Sequence, residues 1–311
     1  MPKPTMTQAG AIGRHAIFNL PDGRRIGLAK YGANAGTPVI CLHGAPSCRL
    51  MFDVAHDAAK RHDLTLICPD RPGYGLSKPD RRPSLASRTQ DVLVLINNLG
   101  LERFLILGIS GGGPYAMALA EKAGDQVRGM ALVAPLGQVS KRHLPPQELH
   151  AVHRALFQWL PYRRRALVAG AVALAAVFRI APGLVARGFA AILGSADRTL
   201  LAEPENRAAL IRMTEGAIIQ GVQGAVADLR IFAAGRPQPP APIEAPTVLW
   251  QGTGDRIVPQ TAAFALALNI KTCESVRLTG EGHFWIYNHV DEVLARLADF
   301  SAKKSTDSPG E

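Results

Sequence analysis

Apolar residues follow two rhythms along this chain. Short, nearly unbroken apolar runs recur at residues 38–44 (PVICLHG), 64–70 (LTLICPD), 104–110 (FLILGIS), 127–135 (VRGMALVAP), 247–252 (TVLWQG) and 275–280 (SVRLTG). A run without polar alternation predicts a strand covered on both faces, hence a parallel sheet. Between the runs lie helix-length segments. Leu85, Val92, Leu95, Ile96 and Leu99 fall on one side of a helix, and Gly100 ends it. Residues 15–32 instead form two alternating runs around Pro21-Asp22-Gly23, which predicts a β-hairpin.

The pattern changes after Pro135. From Leu136 to Pro240 no strand run occurs, helical spacing dominates, and the stretch ends in the proline-rich GRPQPPAPIEAP, a linker by composition. Strand runs then resume, and DEVLARLADF predicts a closing helix. The expected class is α/β, with a helical cap inserted between two halves of a sheet. The corresponding divisions are 12–135 (core, first part), 136–240 (cap), 241–300 (core, second part) and a flexible tail, 301–311.

Composition narrows this picture. The 311 residues are 47% hydrophobic, enough for one globular core with an insertion. The net charge of +10 is concentrated in residues 136–240, where 13 Lys/Arg face 6 Asp/Glu. These arginines lack aromatic interleaving or a zinc-finger pattern, so a solvated basic face is expected and no nucleic-acid partner. The longest apolar stretch, ALVAGAVALAAVF at 166–178, falls short of the roughly 20 residues of a spanning helix. It reads as a buried or lid helix. Its flank of Arg163, Arg164 and Arg165 leaves weak contact with an anionic membrane surface as a second reading. MPKPTMTQAG lacks a signal-peptide pattern. Cys41, Cys48, Cys68 and Cys273 form no CxxC pair, which suggests free thiols in a reducing compartment, the cytoplasm. No metal-ligand spacing occurs, so neither metal nor cofactor is expected. The expected partner is a small-molecule substrate, and the chain is expected to be a monomer or homodimer.

Unusual residues end several strand runs. Gly108-Ile109-Ser110-Gly111-Gly112 matches G-x-S-x-G at a strand-to-helix junction, where a tight turn projects the serine. A phosphate-binding loop would need G-x-G-x-x-G or a lysine, and neither is present. Serine needs a base. Downstream, Asp255 sits in GTGDRIVP and His283 in GEGHF, giving the order Ser…Asp…His. His289 is expected on the surface of the last helix. The amides of Gly111 and Ala45, the latter in HGAP, are candidate oxyanion donors. His43 reads as structural rather than as the base, and its loop is expected beside substrate. His43, Gly44, Ile109, Phe157, Trp159 and Phe284 are the candidate substrate-site residues. Asp70 reads as a structural carboxylate, hydrogen-bonded or paired with Arg71.

HGAP, DRPGYGLS, GISGG, GDRIVP and EGHF, in this order, resemble the α/β-hydrolase fold superfamily. The resemblance implies an eight-stranded, mostly parallel sheet with a lid inserted after the sixth strand. HGAPSCR and SGGGPYA are similar to small capped esterase-like hydrolases, including relatives of proline iminopeptidases. Related haloalkane dehalogenases and epoxide hydrolases carry aspartate at the nucleophile position, where this chain has Ser110. Iminopeptidase-like enzymes usually have G-x-S-W-G and acidic cap residues, whereas here Gly111 follows the serine and the cap is basic. The expectation is a serine hydrolase acting on a small to medium, largely apolar ester. An iminopeptidase or amidase, or a non-catalytic small-molecule binder, is the alternative.

Overall fold

The computed structural model describes residues 5–8, 14–235 and 242–302. Its strands are β1 (Thr5–Gln8), β2 (His15–Asn19), β3 (Arg25–Gly32), β4 (Thr37–Leu42), β5 (Leu64–Pro69), β6 (Phe104–Ile109), β7 (Val127–Val133), β8 (Thr247–Gly252) and β9 (Cys273–Leu278). They form one sheet in the order β1-β2-β3-β5-β4-β6-β7-β8-β9. β5, β4, β6, β7, β8 and β9 run parallel, and β1, β2 and β3 join as an antiparallel edge. The eight strands expected from the resemblance are β2 to β9. β1 is a ninth, which a polar TMTQ segment did not announce.

The apolar runs are explained by two cores. Ile40, Ile67, Ile106 and Leu132 point to one face of the sheet. Their neighbours Cys41, Cys68, Leu107 and Val133 point to the other. Successive strand side chains alternate sides, so burial on both faces favours apolar residues at nearly every position. The first face is covered by α2 (Leu85–Asn98) and α3 (Gly113–Ala123), the second by α1 (His56–Arg61) and α11 (Ile286–Ala302). The start of α2 is fixed by Ser84, whose hydroxyl accepts the Ser87 amide in a reciprocal capping box. All four cysteines are free thiols.

Between β7 and β8 the chain leaves the sheet. Residues 136–150 are irregular apart from a 3-10 turn at Pro146–Glu148, where longer helix was expected. Helices follow from Ala151: α4 (Ala151–Arg154), α5 (Arg164–Ile180), α6 (Pro182–Ala191), α7 (Ser195–Ala202), α8 (Pro204–Ala217) and α9 (Gln223–Ala234). A short α10 (Gln260–Phe264) comes after β8. Half of the proline-rich stretch (236–241) and most of the 301–311 tail lie outside the described residues. Ser301 and Ala302 continue α11. Among the described residues no single helix is long and apolar enough to cross a membrane.

β4 and β6 are neighbours in the sheet, and the connections lead away from this pair in opposite directions. Ligands of open α/β sheets bind at such a switch point, beyond the carboxyl ends of the strands. The loops that start there are 43–46 after β4 and 110–113 after β6.

Candidate active site

Ser110 follows β6 with φ of +50°, a conformation costly for any residue with a side chain. The glycines around it are required by close approach. A Cβ on Gly112 would lie 2.0 Å from the Leu42 carbonyl oxygen, and one on Gly113 would lie 2.7 Å from Pro135 Cβ. The start of α3 therefore crosses directly over the ends of β4 and β7. A Cβ on Gly111 would meet Ala45 N and Phe232 at 3.2 Å each, so a larger residue after the serine would disturb both.

Ser110 Oγ lies 2.9 Å from His283 Nε2, and His283 Nδ1 lies 2.7 Å from Asp255 Oδ2. The Asp255 side chain is inaccessible to solvent. Its Oδ1 accepts the amides of Ile257 (2.7 Å) and Val258 (3.0 Å), and Gln251 donates to Oδ2 at 2.9 Å. Burial raises the Asp255 pKa, but His283 and these donors outweigh it and hold the carboxyl below its usual value. Burial lowers the His283 pKa, but Asp255 and then Asp197 reverse this, so the imidazole lies above its usual value. Such a chain can withdraw a proton from the serine hydroxyl and stabilise the imidazolium that forms.

Asp197, on α7, is a contact that sequence reasoning missed. It is buried, and its Oδ2 and Oδ1 accept the backbone amides of His283 (2.9 Å) and Phe284 (2.8 Å). Gly282 is needed beside it, because a Cβ there would sit 2.2 Å from Asp197 Oδ1. The insertion thus grips the loop that carries the histidine.

The 43–46 loop is gripped in the same way. Arg71 Nη1 donates to the His43 carbonyl, and its Nη2 donates to the Gly44 carbonyl at 2.7 Å. His43 Nδ1 also lies 2.8 Å from the Gly44 carbonyl, and its Nε2 accepts the Arg71 amide at 3.0 Å. These bonds assign the Nδ1–H tautomer. A trans peptide is planar, with C=O and N–H pointing opposite ways. Holding the Gly44 carbonyl against Arg71 therefore turns the Ala45 N–H the other way, towards the Gly111 side. Arg71 is held in turn by Asp228 of α9, at 2.7 Å. Asp228 also receives Arg88, Tyr74 (3.0 Å) and Tyr115 (2.7 Å), all buried.

Several expected residues take other places. His43 is fully buried with both ring nitrogens engaged, so its side chain braces the loop and faces no substrate. Ile109 packs in the core beneath the sheet. Phe157 is buried and stacks on His153. Trp159 is 46% exposed, with Lys141 and Arg154 over its ring. Gly44 and Phe284 do lie beside Ser110 and His283. A Cβ on Gly44 would come 3.5 Å from Ser110 Cβ, and the Phe284 ring is edge-on to His283 at 5.2 Å. Asp70 is structural, but its partner is Arg49 (2.8 Å) rather than Arg71, which Asp228 holds. His289 lies in α11, half-exposed beside Glu292. His153, also missed, is buried with Nδ1 unpartnered. Burial, and then the charge of His283, lower its pKa to about 4, which keeps it neutral.

Residues 39–296 match the alpha/beta hydrolase family. The chain belongs to that family. It is 26% identical to the AB hydrolase superfamily protein YisY of Bacillus subtilis over 86% of this chain and 92% of that protein. It is 33% identical to haloalkane dehalogenase 2 of Mycobacterium bovis over 31% of this chain, a match spanning about a third (34%) of that relative. Among solved structures, an esterase from Exiguobacterium antarcticum aligns with a TM-score of 0.68 at 19% identity, covering 92% of this chain and 98% of that one. The epoxide hydrolase CorEH aligns with a TM-score of 0.68 at 18% identity, covering 96% of this chain and 99% of that one. At these identities the structural likeness establishes the fold of this alpha/beta hydrolase.

Proposed function

We propose that this alpha/beta hydrolase is a serine hydrolase of carboxylic esters with a largely apolar, small to medium acyl or alcohol group. The observation that carries the reading is the hydrogen-bonded chain Ser110–His283–Asp255, with its serine on a strained turn. His283 takes the Ser110 proton as Oγ attacks the ester carbonyl. The Ala45 and Gly111 amides receive the oxyanion, each donor contributing about 3 kcal/mol to transition-state stabilisation. Collapse releases the alcohol, which takes the proton from His283. Water, deprotonated by His283, then attacks the acyl-enzyme, and the acid leaves as Ser110 regains its proton. Asp255 holds the imidazole in register throughout. No step uses a cofactor. We read residues 136–240 as the cap that shapes substrate choice.

Serine in place of aspartate at the nucleophile separates this chemistry from alkyl-enzyme formation of the dehalogenase kind. An amine-recognising peptidase would need a buried carboxylate free in the cap. The two buried aspartates there are both engaged, Asp197 by two amides and Asp228 by two arginines. The test is a series of p-nitrophenyl esters of increasing acyl length, read for a burst of nitrophenol. A burst equal to the enzyme concentration, absent in Ser110→Ala, is expected. Equal turnover by Ser110→Ala would overturn the reading.

A further inference from the structure

The outer surface of the insertion is built unlike the rest of the molecule. Residues 166–178 contain no polar side chain, yet only the Leu167, Ala175 and Phe178 stripe of α5 is buried. Ala169, Val172, Ala173, Ala176, Val177 and Ile180 make up the solvent side of the same helix. Ile180 is 85% exposed, and Leu174 and Leu184 are 58% and 59% exposed. A helix apolar all round is ordinarily buried on every side. Here one side has no covering among the described residues, and α6 extends the same surface after a bend of 119°.

The chain segment that forms this surface carries charge of one sign. Between Glu148 and Asp197 the chain has no acidic residue but carries Arg154, Arg163, Arg164, Arg165, Arg179 and Arg187. Arg163, Arg164 and Arg165 stand at the N-terminus of α5, where the helix dipole disfavours cations, so they do not serve the helix itself. A cavity of about 280 Å³ between α6, α7 and α8 is lined by Arg187, Arg198 and Arg207 with Ala190, Leu201 and Leu210. Arg198 and Arg207 donate to backbone carbonyls, and among the described residues none of the three forms an ion pair. On α6, Leu184, Arg187 and Ala191 share one stripe by their spacing, which links the apolar surface to the mouth of this cavity.

We infer that the α5–α6 surface docks on a bilayer containing anionic phospholipids. The apolar side chains enter the boundary between headgroups and acyl chains, and the arginines receive lipid phosphates, one of them in the cavity. An amphipathic helix with a basic flank binds a membrane surface through these two contributions together. A second copy of the chain is the weaker occupant, because it would bring two arginine-rich surfaces face to face. The inference does not depend on the reaction at Ser110.

Flotation with phosphatidylcholine vesicles, with or without phosphatidylglycerol, tests it. The protein is expected to float with the anionic vesicles and to stay largely unbound with phosphatidylcholine alone or in high salt. Reversing Arg163, Arg164 and Arg165 to Glu is expected to lower the partition by about a hundredfold or more. Ile180→Glu with Leu184→Glu is expected to abolish it. Both sets change exposed side chains, so an unchanged melting temperature verifies the fold. Absence of flotation with anionic vesicles, or flotation unaffected by both sets, overturns the inference. So does a dimer in light scattering that Ile180→Glu dissociates, since a second copy would then cover the surface.

Discussion

The sheet and the insertion treat apolar and polar residues in opposite ways. The sheet hides its apolar runs on both faces and presents its reactive groups at strand ends: Ser110 after β6, Asp255 after β8 and His283 after β9. The insertion leaves much of the apolar helix α5 in water and buries its aspartates instead. Of the six acidic residues in 136–240, the four glutamates are exposed, while Asp197 and Asp228 are buried. Each aspartate reaches back to one half of the site, Asp197 to the histidine loop and Asp228, through Arg71, to the 43–46 loop. The lesson is a division of labour. The sheet supplies Ser110, His283 and Asp255, and the insertion supplies charges that hold the loops around them.

The largest effects should come from the sheet. Ser110→Ala or His283→Ala is expected to lower kcat by about 10⁶, and Asp255→Asn by about 10⁴. Ester turnover measured at the pH optimum checks both. A smaller loss at Ser110 than at Asp255 would break the assigned order of roles.

Next come the anchors in the insertion. Asp228→Ala leaves Arg71 and Arg88 buried without their shared carboxylate, a loss of about 3–5 kcal/mol in folding stability. Should the variant remain folded, release of the Gly44–Ala45 peptide is expected to lower kcat by about a hundredfold, with KM nearly unchanged. Denaturant unfolding and steady-state kinetics read the two effects separately. Asp228→Asn, which retains the shape, should show the kinetic loss with less unfolding.

Asp197→Asn should act more gently and in a distinct way. Its amide must face one of the two backbone N–H donors, so the His283 loop shifts, and kcat is expected to fall by about ten- to hundredfold. The pH profile separates positioning from mere stability. The neutral imidazole is the working base, so kcat/KM falls as pH drops through the His283 pKa. Asp255 and Asp197 both stabilise the imidazolium, and His153 nearby is neutral. Removing the Asp197 charge therefore lowers the His283 pKa, and the acid limb moves to lower pH. An acid limb that stays in place would reduce Asp197 to a structural contact.

The smallest effect is expected on the outer surface. Reversal of Arg163, Arg164 and Arg165 should leave turnover of a soluble ester within about twofold, because surface charges far from the site are screened. A large loss would mean that this surface belongs to the catalytic half after all.

What could be read from the sequence follows the same division. Strands buried on both faces hold few polar residues, so β4 to β8 are visible as apolar runs despite Thr65, Thr247 and Gln251. The serine turn is visible because the crossing of α3 over β4 and β7 excludes every Cβ at Gly112 and Gly113. β1 was hidden, since an edge strand is held by backbone pairing and needs no apolar signature. The anchors were hidden for another reason. Asp197 and Asp228 lie 86 and 157 residues from their partners His283 and Arg71, and no local spacing encodes such a pairing. Two aspartates within a basic, alanine-rich segment were the available clue. Trp159 misled because an aromatic in a helical segment suggests a pocket wall, whereas this one stacks beneath cations at the surface. His43 misled because proximity to the serine suggests contact with substrate, while its ring serves the loop backbone.

The central claim is that Ser110 is a nucleophile activated by His283, and a fluorophosphonate probe tests it most directly. Intact mass and the labelled peptide would be read for the unmodified chain and for His283→Ala. The account predicts one probe per chain, attached at Ser110, and almost no labelling when His283 is gone. Labelling at another residue, or equal labelling without His283, would contradict it.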